Sequence, residues 1–354
     1  MSTSLELIGR SAEFQRIVDA LAEDGDLLIV GVAGSGRRTL VRSAAKAVKA
    51  IVLEVDCIRA TDGERFLQLL AETISQSFEA AEINAWLDNT ARELFAFHPQ
   101  DGKLKLLRSL NQKQLWQAFE ILILLPQQLV TGSEQRVILI LQSFPHIRSW
   151  DRNNLWEATL RREIKRQDRV SYILIATIAE TSNQTDYPLE TVQLAPLANE
   201  VLALWTREIL QTQELTFDFR SKALQLFINA VQGHIGDAMA LIRRLEILRC
   251  PDGIITEQEV EQAISGLLKD LSITFESLLM LLPANQVHLL ECLAIDPTDK
   301  PQRREYIQKH GLSRGGSLQG ALTGLQHKGL IYDAEHGYKL ALPLLALWLR
   351  QRLS

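Results

Sequence analysis

Cysteine is scarce in this chain. Cys57, Cys250 and Cys292 are scattered through 354 residues, at no spacing that suggests a disulfide framework or a zinc site, and a reducing cytosol fits them. Long hydrophobic runs are missing too. Stretches such as Ile121-Leu-Ile-Leu-Leu-Pro126 fall far short of the roughly 20 apolar residues that cross a bilayer. Met1-Ser-Thr-Ser-Leu-Glu-Leu-Ile8 has neither the basic nor the apolar region of a secretory signal. A cytoplasmic protein with no membrane partner is therefore expected. Neither charge dominates: 38 Lys and Arg face 43 Asp and Glu, a net of −5, which argues against a chain that is basic throughout. His98 is a lone histidine without a ligand partner at metal spacing and reads as surface, so no metal site is expected. What remains, 46% hydrophobic and 23% charged, is the composition of a globular protein, long enough for two or three domains with full cores.

The chemistry concentrates in Gly31-Val-Ala-Gly-Ser-Gly-Arg-Arg-Thr-Leu40. The stretch follows the apolar run Leu27-Leu-Ile-Val30 and opens a helical pattern from Leu40 to Val48. Between a strand and a helix, such glycines let successive backbone N–H groups point at one anion, and the helix N-terminus adds its positive dipole end. In the phosphate-loop consensus G-x-x-x-x-G-K-[ST], the lysine reaches the β/γ-phosphates and the hydroxyl holds Mg²⁺. Gly31 and Gly36 stand in place with Gly34 and Ser35 between them, but Arg37 takes the lysine position and Arg38 the hydroxyl position. Thr39 comes one residue late, and one helical step turns a side chain by about 100°, away from the metal. The planar fork of Arg37 is a poor copy of a compact ammonium. A ligand-free glycine turn would carry the same letters. Binding of ATP or ADP is accordingly expected to be weak or absent, and Mg²⁺ is not expected.

Upstream, Leu7-Ile-Gly-Arg10 followed by Glu13 resembles the "hhGR…E" box that precedes the loop in AAA+/STAND-type P-loop ATPases. The resemblance extends over nearly the whole chain and rests on the order of motifs more than on any one. It is strongest to the branch with an ATPase core, a helical lid and a winged helix, as in archaeal-type ATPases and replication-initiator-like proteins. It implies an α/β P-loop NTPase (AAA+-like) parallel-sheet core over 1–192, an all-α lid over 193–272 and a C-terminal winged-helix domain over 273–354.

The periodicity agrees. Ser11–Asp24 predicts a helix with Phe14, Ile17, Val18 and Leu21 on one face, Ala50–Asp56 a strand, and Gly63–Phe78 a helix. Strands alternating with helices argue for a parallel sheet. Residues 80–130 read as mostly helical, with Phe97–Lys103 as an exposed turn. Arg136–Pro145 reads as a buried strand. In the family it resembles, that strand ends in two carboxylates, one helping to hold Mg²⁺ and one polarising water. Here those positions are Gln142 and Ser143. Glutamine lacks the charge a hard cation wants, and neutral serine is no useful general base.

Asp151–Asp168 predicts a helix rich in Arg and Lys, most simply a solvated face. Its place in the resemblance makes Arg166 or Arg169 candidates for an arginine finger acting on a neighbouring subunit's ATP. Thr177, after the strand Val170–Ala176, takes the polar sensor position. Val192–Glu200 resembles the linker into the lid. In the lid, Asp237-Ala-Met239 lacks the arginine that often opens the helix after the turn Gly233–Gly236, and His234 reads as an ordinary turn residue. Thr256-Glu-Gln-Glu259 is a capping box.

Beyond Leu278, three short helices and a hairpin predict the winged helix, and the tail Pro343–Arg350 resembles the "P-L-F-x-x-W-L-R" ending of archaeal-type ATPases. Arg314, Ser317, Gln319, Thr323, Lys328 and Lys339 are its candidate DNA contacts, a basic end on an acidic chain. No arginine lies in the body of the third helix to read guanine, and Gly316, Gly320 and Gly324 suit close packing against a protein equally well. The expectation is a non-hydrolysing regulatory or assembly subunit with a protein partner, as a homo- or hetero-oligomer that can include a competent ATPase, and with DNA as a possible further partner. Two other readings stand beside it: an ATPase completed by a neighbour, and a DNA-binding protein that uses its core only as scaffold.

Overall fold

The computed structural model describes residues 9–90, 92–107, 110–177, 189–248, 251–313, 315–334 and 337–353. The chain opens with α1 (Ser11–Ala22), β1 (Leu27–Gly31), α2 (Arg37–Ala47), β2 (Ile51–Asp56) and α3 (Gly63–Ser77). Next come α4 (Ala80–Thr90), the hairpin β3 (Phe95–His98) and β4 (Lys103–Leu106), α5 (Gln112–Val130), β5 (Val137–Gln142), α6 (Leu155–Ile164), β6 (Val170–Ala176) and β7 (Glu190–Leu194). Strands β1, β2, β5, β6 and β7 form one parallel sheet in the order β2-β5-β6-β1-β7. The register sets Asp56 beside Gln142 and Val30 beside Ala176, so the loop after β1 and the ends of β5 and β6 share the carboxyl edge.

Side-chain alternation sends each strand to two cores. Ile138 and Ile140 join Leu27, Ile29, Ile173 and Val192 under α1 and α2. Leu139 and Leu141 join Leu53, Tyr172 and Leu174 under Phe66, Leu70, Phe119 and Trp156. Local signals start the helices: Asp62 accepts from Arg65 N–H at 2.8 Å ahead of α3, and Asn111 and Gln114 form a reciprocal capping box at α5.

The region expected to be mostly helical holds α4 and α5, with an unexpected hairpin between them. Phe95 pairs with Leu106 and His98 with Lys103. The alternating Phe-Ala-Phe-His and Lys-Leu-Lys-Leu segments bury Phe95 and Leu104 on one side, and the intervening turn holds Gly102 at φ +63°. His98 is exposed, as read. The expected linker begins as a strand: β7 adds to the sheet beside β1.

The second unit comprises α7 (Asn199–Thr212), β8 (Thr216–Phe217), α8 (Ala223–Val231), α9 (Ile235–Leu248), β9 (Ile254–Ile255) and α10 (Glu257–Met280). The lid is not wholly α, because β8 and β9 pair in parallel; two residues each are too few to leave an alternation signal. The Thr256–Glu259 capping box is present. Helix α10 runs 24 residues. Its first half packs Val260 and Ala263 into the lid core, and its second half packs Phe275 and Leu279 into the last unit.

That unit holds α11 (Ala284–Ile295), α12 (Arg304–His310), α13 (Gly316–His327), the hairpin β10 (Ile331–Ala334) and β11 (Gly337–Leu340), and α14 (Pro343–Leu353). Leu289, Leu293, Leu318, Leu322, Leu325 and Leu345 form its centre. Three helices and a two-stranded wing are the expected winged helix. Among the described residues, no helix is long and apolar enough to cross a membrane.

Candidate nucleotide site

The carboxyl edge of a parallel sheet is where the crevice for a ligand opens. Gly34 and Gly36 hold φ of +81° and +86°, which only glycine adopts without strain, and Gly36 delivers the chain into α2. Gly31 leaves room for Ser35, since a Cβ there would lie 2.8 Å from its Oγ. The backbone cradle is therefore formed.

Its two cationic side chains are engaged elsewhere. The Arg37 guanidinium donates to the carbonyl of Ala176 at the end of β6. Arg38 pairs with Glu54 on β2 at 2.6 Å, and Arg42 grips the same carboxylate. At the end of β5, Gln142 and Ser143 stand where carboxylates were sought, with Ser143 at φ +50°. Asp56, beside Gln142, accepts instead from Ile58 N–H at 3.1 Å. Among the described residues, no group of three or more His, Cys, Asp or Glu side chains is arranged to hold a metal ion. These residues do not fit Mg²⁺, and no step through a metal is derived for them.

Beside the loop lies a cavity of about 280 Å³ lined by Arg10, Ser35, Leu40, Leu194, Trp205 and Met239, with Gly36, Thr39, Ile209 and Ile235 completing it. Thr39 thus faces this apolar cavity. The walls come from core and lid together, and most of the lining is apolar. Two buried polar atoms in its lining residues, Ser35 Oγ and Arg10 Nε, have no hydrogen-bond partner among the described residues. Arg10 otherwise acts as a clip: it pairs with Glu13 at 2.9 Å and donates to Ala195 O, tying the start of α1 to the chain after β7. Arg10 and Glu13 are both letters of the box that the sequence marks ahead of the loop, while Leu7 and Ile8 of the same box lie outside the described residues.

Sequence reasoning missed Trp205 and His234. The turn between α8 and α9 sits on the loop, with the His234 ring against Ala33 O and Gly236 N–H donating to Gly34 O at 3.0 Å. Burial pulls the His234 pKa down, but Asp237 and the Ala33 carbonyl push it up, and the net direction is upward. A histidine between two glycines was the available signal.

Thr177 follows β6 at the same edge, against Gly329 of the winged helix, where an added Cβ would lie 3.3 Å from its Cγ2. Arg166 and Arg169 sit at the other end of the sheet. Arg166 pairs with Glu163 at 3.2 Å, and Arg169 donates to Ser133 O. Seven residues of β6, at about 3.3 Å each, separate Arg169 from the carboxyl edge by roughly 20 Å, so neither arginine reaches this chain's own loop. On α13, Ser317, Gln319 and Thr323 are exposed, as are Lys328 just after it and Lys339 on β11. Arg314 lies outside the described residues.

Comparison with known proteins bears on the fold. Residues 6–141 match the AAA ATPase domain family, and residues 273–351 match a probable winged helix domain. No curated protein matches the chain in sequence. Among solved structures, a Walker-type ATPase of Pyrococcus abyssi is similar over 97% of this chain and 96% of its own, with TM-score 0.67 and 16% identity. The Aeropyrum pernix Orc1 protein, solved in complex with DNA, is similar over 98% and 94% with TM-score 0.50 and 15% identity. At such identities the likeness defines the fold. The chain has an AAA+-type P-loop core followed by a winged helix.

Proposed function

We propose that this chain is a non-hydrolysing AAA+-type subunit that regulates or assembles a complex with a protein partner. One observation carries the reading: Arg37 and Arg38 are bonded to Ala176 and Glu54, while Gln142 and Ser143 replace the metal-holding and water-activating carboxylates. Phosphoryl transfer works by positioning plus electrostatic stabilisation of charge on the phosphate oxygens, and both halves of that machinery lack their reactive groups. The apolar cavity still supports a weak, metal-independent hold on a nucleotide base. Exposed Met280 and Leu281, at 86% and 82%, support a protein partner at the end of α10.

The deciding experiment mixes the purified chain with ATP or ADP, with Mg²⁺ or with EDTA, and reads binding and phosphate release together. Weak or absent binding that ignores the metal, with no release, is expected. Binding tightened by Mg²⁺ with turnover lost in Arg37→Ala would overturn the proposal in favour of an ATPase. Trp205→Ala is expected to lower any residual affinity by about tenfold, as truncating a stacking aromatic does.

The winged helix supports a second reading, contact with duplex DNA. The solvent face of α13 carries Ser317, Gln319 and Thr323, and Lys328 and Lys339 lie exposed nearby. Orc1 of Aeropyrum pernix, of the same fold, was solved with DNA. Binding would fall steeply with salt, and Lys328→Ala with Lys339→Ala would weaken it on every sequence alike and flatten the salt slope by about two. Affinity unchanged by both substitutions would reject this surface.

A further inference from the structure

Four contacts, part-buried at the loop and buried beyond it, run without a break from the phosphate loop to the winged helix. The first lies at Ala33, whose carbonyl faces His234 Nε2. A carbonyl only accepts, so Nε2 must carry the hydrogen, and in the neutral ring Nδ1 then keeps its lone pair. That lone pair accepts from Asp237 N–H at 3.0 Å, which makes His234 the side-chain cap of α9. In the protonated ring, which the Asp237 carboxylate favours, Nδ1–H donates instead to Asp237 Oδ1 at 3.0 Å, so the link to Asp237 is kept in either state. Asp237 Oδ2 accepts from Leu344 N–H at 2.9 Å.

Leu344 is the second residue of α14, after Pro343, which has no N–H. Its N–H is one of the unpaired donors at a helix start, and here the cap comes from another unit, 107 positions away. His234 and Asp237 are 4% and 9% exposed, so losing either leaves a buried donor or acceptor without its partner. The contact at Gly34 leaves no slack: a Cβ there would lie 2.7 Å from His234 Cε1 and Nε2.

We propose that His234 and Asp237 couple the phosphate loop to the docking of α14, so that displacing the loop at Ala33–Gly34 loosens the start of α14. His234 is a positioning residue in this arrangement: it aligns the loop from the lid and passes the loop's position on through Asp237. The coupling stands on geometry alone and does not depend on whether a nucleotide binds.

The test reads amide hydrogen exchange at Leu344 in the full chain, with amides of α11 as internal reference. Gly34→Ala drives the ring off the loop and is expected to speed exchange at Leu344 by about tenfold while leaving α11 unchanged. In a His234→Ala background the same substitution is expected to add nothing, the signature of a shared path. His234→Gln, whose amide can donate to Ala33 O and accept from Asp237 N–H, is expected to restore the response. Should Gly34→Ala not fold, Gly236→Ala serves instead, because its backbone is not left-handed and its Cβ would press on Gly34 Cα and His234 Cε1 from 3.2 Å. Three results would overturn the proposal: no change at Leu344, equal loosening of α11 and α14, or an effect that persists when His234 is alanine.

Discussion

Asp26 stands just before β1, where its carboxylate accepts from Tyr172 N–H at 3.0 Å. Burial pushes its pKa up to about 6, against the lowering effects of that hydrogen bond and of Lys165. An acid with a raised pKa binds more protons folded than unfolded between the two values. Its contribution to stability therefore falls as pH rises from 3.8 through about 6 and stays low above that. Asp26→Asn keeps an acceptor oxygen and removes the charge. It is expected to raise Tm at neutral pH, by on the order of 1–3 kcal/mol of stability, with the gain shrinking as pH is lowered through the window. Thermal melts of both proteins across that range check it, and a gain that does not vary with pH would refute the cause given. Charge placement also governs the loop. Arg37→Lys with Arg38→Thr rewrites the consensus letters, yet Gln142 and Ser143 remain at the end of β5. The double variant is expected to release no phosphate from ATP in a malachite-green assay.

At the scale of elements, α13 carries glycines that its own fold does not require. A Cβ on Gly316 or Gly320 would meet nothing within 4 Å, and neither residue has positive φ, whereas Gly324 lies against Gln286. Glycine in a helix interior costs about 1 kcal/mol relative to alanine. Gly320→Ala is thus expected to raise stability by about 0.5–1 kcal/mol in denaturant melts and to weaken whatever partner packs closely on this face. The exposed helix surface was legible from Leu318, Leu322 and Leu325, because periodicity fixes which side is buried. So were the cradle glycines, the buried strand β5 and the Thr256 cap, each marked by adjacent letters. The hairpin β3–β4 was not, because its two four-residue segments sit between long helices that dominate any window. Trp205 and His234 could not be found for a different reason. What places them at the loop is packing between α7, α9 and a turn some two hundred positions earlier; Trp205 carries no local pattern that announces such a contact, and the glycines flanking His234 mark only a turn.

Across the whole molecule, α10 decides how many parts there are. Ile264 and Leu267 touch both the lid core and the winged-helix core, and Leu347 of α14 does the same from the other side. With Asp237 capping α14, the two units share a helix, three apolar contacts and a buried hydrogen bond, so they should open together. Hydrogen exchange followed through a denaturant series is expected to give α8 and α11 the same midpoint. Ile273 offers a way to break the link without touching either core, since it lies within α10 at 76% exposure. Ile273→Pro removes a helical hydrogen bond and drives the ring against the carbonyl one turn back, at a cost of about 3 kcal/mol. The expected result is two midpoints, with the winged helix opening first because it loses the half of α10 that carries Phe275 and Leu279. If α8 and α11 already separate in the unaltered chain, the lid and winged helix are independent bodies. The helix between them would then be a tether, and the His234–Asp237 contacts would remain as the polar link from the loop to α14.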